Sequence, residues 1–190
     1  ELQVYAPSDV STINITPGPD TMDLSWSYPA TGNYQVYDSN VPSNAITFDI
    51  IVNGEEIASN LDVASFTDID LNYNESYSYV VKAESVVGSS YSNSQSGLTK
   101  PGIPAVSVTS GLNSNELEWL NPDITSTDGS ILYKVDRTWD VGDVFYDAIL
   151  LEDDSNQSYT DINLLNTSLF SYRIKASNGS GASSWSDYVD

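Results

Sequence analysis

Histidine and cysteine, the side chains that most often act as bases or nucleophiles, are absent from this chain of 190 residues. Paired carboxylates could still serve as a general acid and a general base. The adjacent acids at 55–56 and 153–154 fall in predicted turns, where neighbouring side chains diverge. Glu116 and Glu118 share one face of a predicted strand, but that face is the solvent face opposite Trp119. Because an acid–base pair needs a pocket that separates its two pKa values, the sequence predicts no enzyme.

Four aspartates around one predicted hairpin could bind calcium, because Ca²⁺ prefers hard oxygen ligands. They are Asp136, Asp140, Asp143 and Asp147. Their spacing matches no standard calcium loop, and a strand would divide the four side chains between two faces. A solvated acidic hairpin is the alternative interpretation. Apart from calcium at this hairpin, no cofactor is expected.

The best binding candidate is a long loop at 28–45, since loops on a rigid scaffold often carry function. It contains residue types that are common in contact-making loops, namely Asn33, Tyr34, Tyr37 and Asp38. The alternative is that its tyrosines fold back onto their own domain or pack on the neighbouring one.

The chain is strongly acidic, with 27 acids against 6 bases and a net charge of −21. Residues 1–100 hold 13 acids and 2 bases, and residues 101–190 hold 14 acids and 4 bases. Both halves should therefore repel nucleic acid and anionic membranes. The sequence has no apolar run of about 18 residues, so no membrane insertion is expected. The charge suits either a solvated surface in salty water or a cationic partner.

Structural positions recur along the chain at one offset, since Trp119 minus Trp26 is 93. The matching pairs are Trp26 and Trp119, Leu71 and Leu164, Tyr77 and Phe170, Ala83 and Ala176, and Gly88 and Gly181. A constant offset indicates two copies of one structural unit. Each copy contains seven predicted short strands and no sustained helical period, which is typical of an all-β sandwich. We predict one domain at 1–98, a short Pro/Gly linker at 99–104 and a second domain at 105–190.

The motifs LSWSYP at 24–29, LEWLNP at 117–122 and GASSWS at 181–186 resemble those of fibronectin type III domains. The resemblance extends over nearly the whole chain and implies two tandem seven-stranded sandwiches. It places Trp26, Tyr77, Trp119 and Phe170 in the structural core. Tyr77 stands where the family has a tyrosine whose hydroxyl ties its strand to upstream backbone. Phe170 has no hydroxyl, so packing alone is expected to secure the second domain there.

The resemblance implies a non-catalytic module that is extracellular, on a cell surface or on a virion surface. We expect a spacer that contacts protein or glycan within a larger chain or assembly. One alternative is a carbohydrate-binding or accessory module of a secreted hydrolase, with Tyr28, Tyr34, Tyr37 and Tyr91 as its aromatic row. Another is a filament or virion subunit that binds copies of itself through an edge strand. The sequence contains no Arg-Gly-Asp triplet, so integrin binding has no support.

Overall fold

A computed structural model describes residues 10–28, 46–85, 88–122, 130–141, 144–165 and 168–190. Side chains are described for these residues except 140, 141 and 144–147. The chain divides into two compact units. The first consists of Glu1–Asp70 and Ser76–Gly97, and the second of Leu71–Glu75 and Leu98–Asp190.

The described part of the first unit contains eight strands: β1 (Asn14–Pro17), β2 (Met22–Ser25), β3 (Thr47–Val52), β4 (Glu55–Leu61), β5 (Ser65–Asp68), β6 (Ser76–Ser85), β7 (Gly88–Tyr91) and β8 (Gln95–Leu98). One sheet has the order β1-β2-β5. The other has the order β4-β3-β6-β7, and β8 also pairs with β6. Sequence neighbours such as β3 and β4 pair as antiparallel hairpins, as expected for short connections.

The described part of the second unit contains seven strands: β9 (Ala105–Gly111), β10 (Ser114–Leu120), β11 (Leu132–Val141), β12 (Val144–Asp154), β13 (Ser158–Ile162), β14 (Phe170–Asn178) and β15 (Gly181–Ala182). They form two antiparallel sheets with the orders β13-β10-β9 and β12-β11-β14-β15. The predicted all-β class is confirmed, since the described residues form strands and turns and include no helix.

Alternation along the strands builds each core, because successive side chains point to opposite faces of a sheet. In β10, Leu117 and Trp119 are buried while Glu116 and Glu118 are exposed. The Trp119 ring meets the Tyr133 ring of the other sheet edge-on, with 5.6 Å between centroids. Trp26 and Phe48 make the same contact in the first unit at 5.3 Å. In each unit a tryptophan, Trp119 within β10 and Trp26 directly after β2, thus packs on an aromatic ring of the other sheet.

Asparagine and aspartate provide the left-handed backbone positions of the turns. Among the described residues, the non-glycine residues with positive φ are Asn53, Asn60, Asp70, Asn74, Asn113, Asp153 and Asn163. Their short polar side chains can hydrogen-bond locally, so these two residue types tolerate this conformation best after glycine. Asn53 precedes Gly54 in the β3–β4 hairpin, as the Asn-Gly pair predicts.

The segment Leu71–Glu75 belongs to the second unit, although the sequence-based boundary lies at residue 98. Side-chain hydrogen bonds within that unit hold it. Asn178 Nδ2 donates to Asn74 Oδ1 at 2.9 Å and to the Thr99 carbonyl at 2.8 Å. The Thr99 hydroxyl accepts from the Glu75 N–H at 2.9 Å. These bonds satisfy polar groups that burial would otherwise leave unpaired, since Asn74 and Thr99 are both buried.

Candidate functional site

No described pocket brings a pair of acids together. Glu116 and Glu118 lie on the exposed face of β10, as predicted. A cavity of about 590 Å³ opens beside Glu118 and Gln157, and Glu118 is the one carboxylate that lines it. A general acid and a general base that share a pocket are therefore not found in the described part of the chain.

Each buried aspartate among the described residues is paired with a base. Asp49 lies 3.0 Å from Lys82 Nζ, and Asp161 lies 2.7 Å from Arg137 Nη1. Burial alone would raise the pKa of Asp49, but hydrogen bonds from the Asn60 N–H and from Lys82 outweigh it and lower that pKa. These carboxylates form ion pairs within the fold, because an unpaired buried charge would be very costly.

The calcium candidate Asp136 is also one of these paired aspartates. Its Oδ2 accepts a hydrogen bond from Arg173 Nε at 2.8 Å and lies 2.7 Å from Arg173 Nη2 in an ion pair. The Asp140 side chain and the whole of Asp143 lie outside the described residues, as does the Asp147 side chain. Within the described residues, no group of three or more acids could hold a metal ion.

The predicted binding residues Asn33, Tyr34, Tyr37 and Asp38 lie outside the described residues. The structure does describe Tyr28 and Tyr91, the other two tyrosines of the aromatic row in the carbohydrate-binding alternative. The Tyr28 ring packs edge-on against the Phe48 ring, with 5.7 Å between centroids, whereas Tyr91 is 54% exposed. These two side chains therefore differ in role, since Tyr28 contributes to core packing.

A buried tyrosine hydroxyl is bonded to an aspartate in both units, at a position that the sequence analysis did not single out. Tyr79 donates to Asp68 Oδ2 at 2.9 Å, and Tyr172 donates to Asp161 Oδ2 at 2.9 Å. Both tyrosines are fully buried. The expectation that packing alone secures Phe170 stays a prediction, because this hydroxyl belongs to the next inward residue of the same strand and binds a side chain rather than backbone.

The surroundings of Phe170 and Tyr77 are also different from one another. Phe170 is 9% exposed and stacks on Trp139 with 6.3 Å between centroids, while Tyr77 is half-buried. The repeat arithmetic could have matched the two bonded pairs, since Tyr172 minus Tyr79 and Asp161 minus Asp68 are both 93.

The second unit adds a base and an amide to this hydrogen bond. Arg137 Nη1 donates to both oxygens of Asp161, at 2.9 and 2.7 Å, and Asn115 Nδ2 donates to the Tyr172 hydroxyl at 3.1 Å. The Arg137 guanidinium also lies 4.5 Å from the centroid of the Trp139 ring. Burial raises the pKa of the Tyr172 hydroxyl, and the adjacent Asp161 carboxylate raises it further. The result is a buried network of four polar side chains.

A cavity of about 220 Å³ borders this network in the second unit. Its lining consists of Ser110, Gly111, Asn113, Ser114, Asn115, Leu164, Leu165, Ser168, Leu169, Phe170 and Asp190. Leu165 and Leu169 are each 61% exposed, so the apolar wall extends to the surface. The cavity therefore combines an exposed apolar wall with hydroxyl, amide and carboxylate groups.

A row of stacked cations and aromatic rings lies on the outer side of β14. Lys175 Nζ is 4.9 Å from the Trp185 ring, and the Arg173 guanidinium is 4.6 Å from that ring and 4.9 Å from the Tyr188 ring. We call Lys175, Trp185, Arg173 and Tyr188 the cation–aromatic row. Sequence reasoning missed it, although Arg173 and Lys175 alternate with inward residues before a Trp-Ser pair. The row offers a partly exposed surface of large side chains, with Tyr188 44% exposed.

Comparison with known proteins identifies the sandwiches. No protein-family model matches the sequence, and no curated protein matches it. The solved structure of a two fibronectin type III domain segment from chicken tenascin is similar, with a TM-score of 0.51 and 16% sequence identity. The match covers 96% of this chain and 99% of that chain. At this identity the likeness establishes the fold alone, and the chain has the fold of two tandem fibronectin type III domains.

That fold is typically non-catalytic and hosts many different roles, so function must be argued from the sites. No helix among the described residues is long and apolar enough to cross a membrane.

Proposed function

We propose that this chain is a non-catalytic structural and interaction module that acts outside the cell or on a cell or virion surface. It spaces and contacts protein or glycan partners within a larger chain or assembly. The observation that carries the proposal is that the buried carboxylates form ion pairs within the fold. The three buried aspartates, Asp49, Asp136 and Asp161, are all bound to bases of the fold. The polar groups best placed for chemistry thus stabilise the sandwiches.

Contact surface is available elsewhere on the second unit. The cation–aromatic row presents Tyr188 and Trp185 at the surface, and aromatic and arginine side chains are enriched where proteins bind partners. Two small sandwiches whose described residues form no pocket with paired acids suit a passive spacer. An extracellular or surface setting accords with the common location of this fold and with the even acidic charge, which keeps a chain soluble.

Cross-linking mass spectrometry of the native protein in its own source tests the proposal. We expect constant neighbours, or a longer parent chain, with cross-links that include the segment around Tyr188. A photo-cross-linking side chain placed at Tyr188 should capture the neighbour, while the same group at Tyr91 serves as an exposed control on the first unit. An isolated species with no constant neighbour, or hydrolytic turnover by the purified chain, would overturn the proposal.

A further inference from the structure

The sequence carries several copies of the triplet Asn-x-Ser/Thr, which is the acceptor motif for N-linked glycans. The triplets begin at Asn14, Asn74, Asn156, Asn166 and Asn178, and none has proline in the middle. Asn166 lies outside the described residues. The other four asparagines differ in exposure and in hydrogen bonding, so the structure decides which of them can carry a glycan.

Asn74 and Asn178 are bonded to one another and leave no room for a sugar. Asn74 is 1% exposed, and its Oδ1 accepts from Asn178 Nδ2 at 2.9 Å. Asn178 Nδ2 also donates to the Thr99 carbonyl at 2.8 Å, so both of its hydrogens are used. A glycan replaces one hydrogen of the amide nitrogen, which would break one of these bonds and leave a buried polar group unpaired. The folded second unit therefore excludes a glycan at either asparagine.

Asn156 lies in the turn between β12 and β13 and has the opposite surroundings. Asn156 and Ser158, the first and last residues of its triplet, are both exposed. The Asn156 backbone N–H donates to Asp154 Oδ1 at 2.7 Å, which holds the turn. Within the described part of the chain, its side-chain amide forms no hydrogen bond. A glycan on this nitrogen would thus project into solvent without breaking any contact of the fold.

Asn14 is exposed as well, but its triplet belongs to a paired strand. Residues Asn14–Pro17 form β1, and Asn14 lies opposite Ser25 of β2. The ladder holds this backbone extended, whereas a turn can adapt its backbone to the active site of an enzyme without opening a sheet. Among the described triplets, Asn156 therefore combines an exposed amide, an exposed hydroxyl and a turn.

We propose that Asn156 carries an N-linked glycan, while Asn74 and Asn178 remain unmodified. The inference rests on the proposed location outside the cell or at its surface, because this modification is typical of surface loops in secreted chains. The donor is a lipid-diphosphate-linked oligosaccharide, presented by a transferase. Asn156 Nδ2 bonds to the anomeric carbon of the first sugar as the bond from that carbon to the diphosphate oxygen breaks. The lipid diphosphate leaves with the electron pair, and the amide proton passes to a base of the transferase.

Glycopeptide mass spectrometry of the full chain tests the site. One sample is the native protein from its own source, and the other is the same chain secreted from a cultured eukaryotic host. Cleavage at Tyr159 separates Asn156 from Asn166, and electron-transfer fragmentation assigns the modified residue. We expect a glycan on Asn156 in both samples and none on Asn74 or Asn178 in the folded, protease-resistant fraction.

Variants in the same turn sharpen the test. Ser158→Ala leaves the acceptor amide in place but removes the hydroxyl of the triplet, so the glycan on Asn156 should be lost. Ser155→Ala is the matched control, since Ser155 is exposed in the same turn but lies outside the triplet, and the glycan should persist. Asn156→Gln should lose the glycan as Ser158→Ala does.

An unmodified Asn156 in the secreted chain would overturn the inference, as would a folded chain with a glycan on Asn74 or Asn178. Retention of the glycan by Ser158→Ala would also contradict it. The outcomes are separable from the proposed function. A native chain that keeps constant neighbours outside the cell but lacks the glycan would sink this inference and leave the contact role standing. A native chain that carries the glycan but has no constant neighbour would do the reverse.

Discussion

The two units place the same tyrosine–aspartate hydrogen bond in different surroundings. Val52 lies across from Tyr79 in the first unit, and Arg137 lies across from Tyr172 in the second. The first unit needs no base because Asp68 is only half-buried and remains partly hydrated. Asp161 is 4% exposed, so its charge must be compensated within the protein. The burial of the aspartate that accepts the hydrogen bond, rather than the bond itself, decides whether an arginine is required.

Replacing Arg137 by the valine of the first unit should have the largest effect. Arg137→Val leaves the Asp161 carboxylate buried without its partner, which typically costs about 3–5 kcal/mol of unfolding free energy. Urea unfolding followed by hydrogen exchange should show the loss in β10, β11 and β14. The strands of the first unit provide the internal control.

A double substitution tests the reason for that loss. Adding Asp161→Asn to Arg137→Val removes the uncompensated charge and should recover a large part of the stability. If the double variant is no more stable than Arg137→Val, lost packing on Trp139 would be the dominant cause instead.

The tyrosine hydroxyls should cause a stability loss at alkaline pH. Burial and the neighbouring aspartates raise the pKa values of Tyr79 and Tyr172 above the ordinary 10.0. Below pH 10 both states keep the proton, so this contribution is complete at neutral pH. Above it the unfolded chain loses protons that the folded chain retains, so stability falls as the pH rises.

The predicted loss of stability at alkaline pH is checked by absorbance titration at 295 nm, with unfolding free energies measured above pH 10. Tyr79 and Tyr172 should be among the last of the 13 tyrosines to ionise. In the double variant Tyr79→Phe, Tyr172→Phe, the unfolding free energy should decline less steeply with pH. An identical slope in that variant would contradict the assignment.

The smallest effect is expected at Phe170. Since Tyr172 already supplies the buried hydroxyl, Phe170→Tyr should change the unfolding free energy by less than about 0.5 kcal/mol, or about 2–4 °C in melting temperature. Differential scanning calorimetry of the full chain would measure the change. A clear rise in melting temperature would instead support the interpretation that a tyrosine hydroxyl is missing at this position.

The fold was predictable because large residues recur at a constant offset and alternate along strands. Trp26 and Trp119 are buried side chains whose immediate neighbours in the sequence are exposed, and such alternation can be read without coordinates. The offset of 93 matches Tyr79 with Tyr172 but does not show which tyrosine is buried most deeply, since Tyr77 and Tyr79 share a face of the same strand.

The network around Arg137 was missed for a related reason. Alternation from Tyr133 through Val135 directs Arg137 inward, but a charged residue in a strand is normally assigned to the solvent face. Only the cross-strand register brings Arg137, Tyr172 and Asp161 together. The cation–aromatic row depends in the same way on how the residues after β15 return along β14.

The asparagines and aspartates with positive φ also affect the unfolded state of the chain. Glycine would adopt these turn conformations without strain, but it would give the unfolded polypeptide more freedom to lose on folding. Asn53, Asn113 and Asn163 accept some local strain and restrict the unfolded ensemble instead. The chain contains 16 asparagines and 11 glycines. Its asparagine turns therefore contribute to stability by restricting the unfolded state.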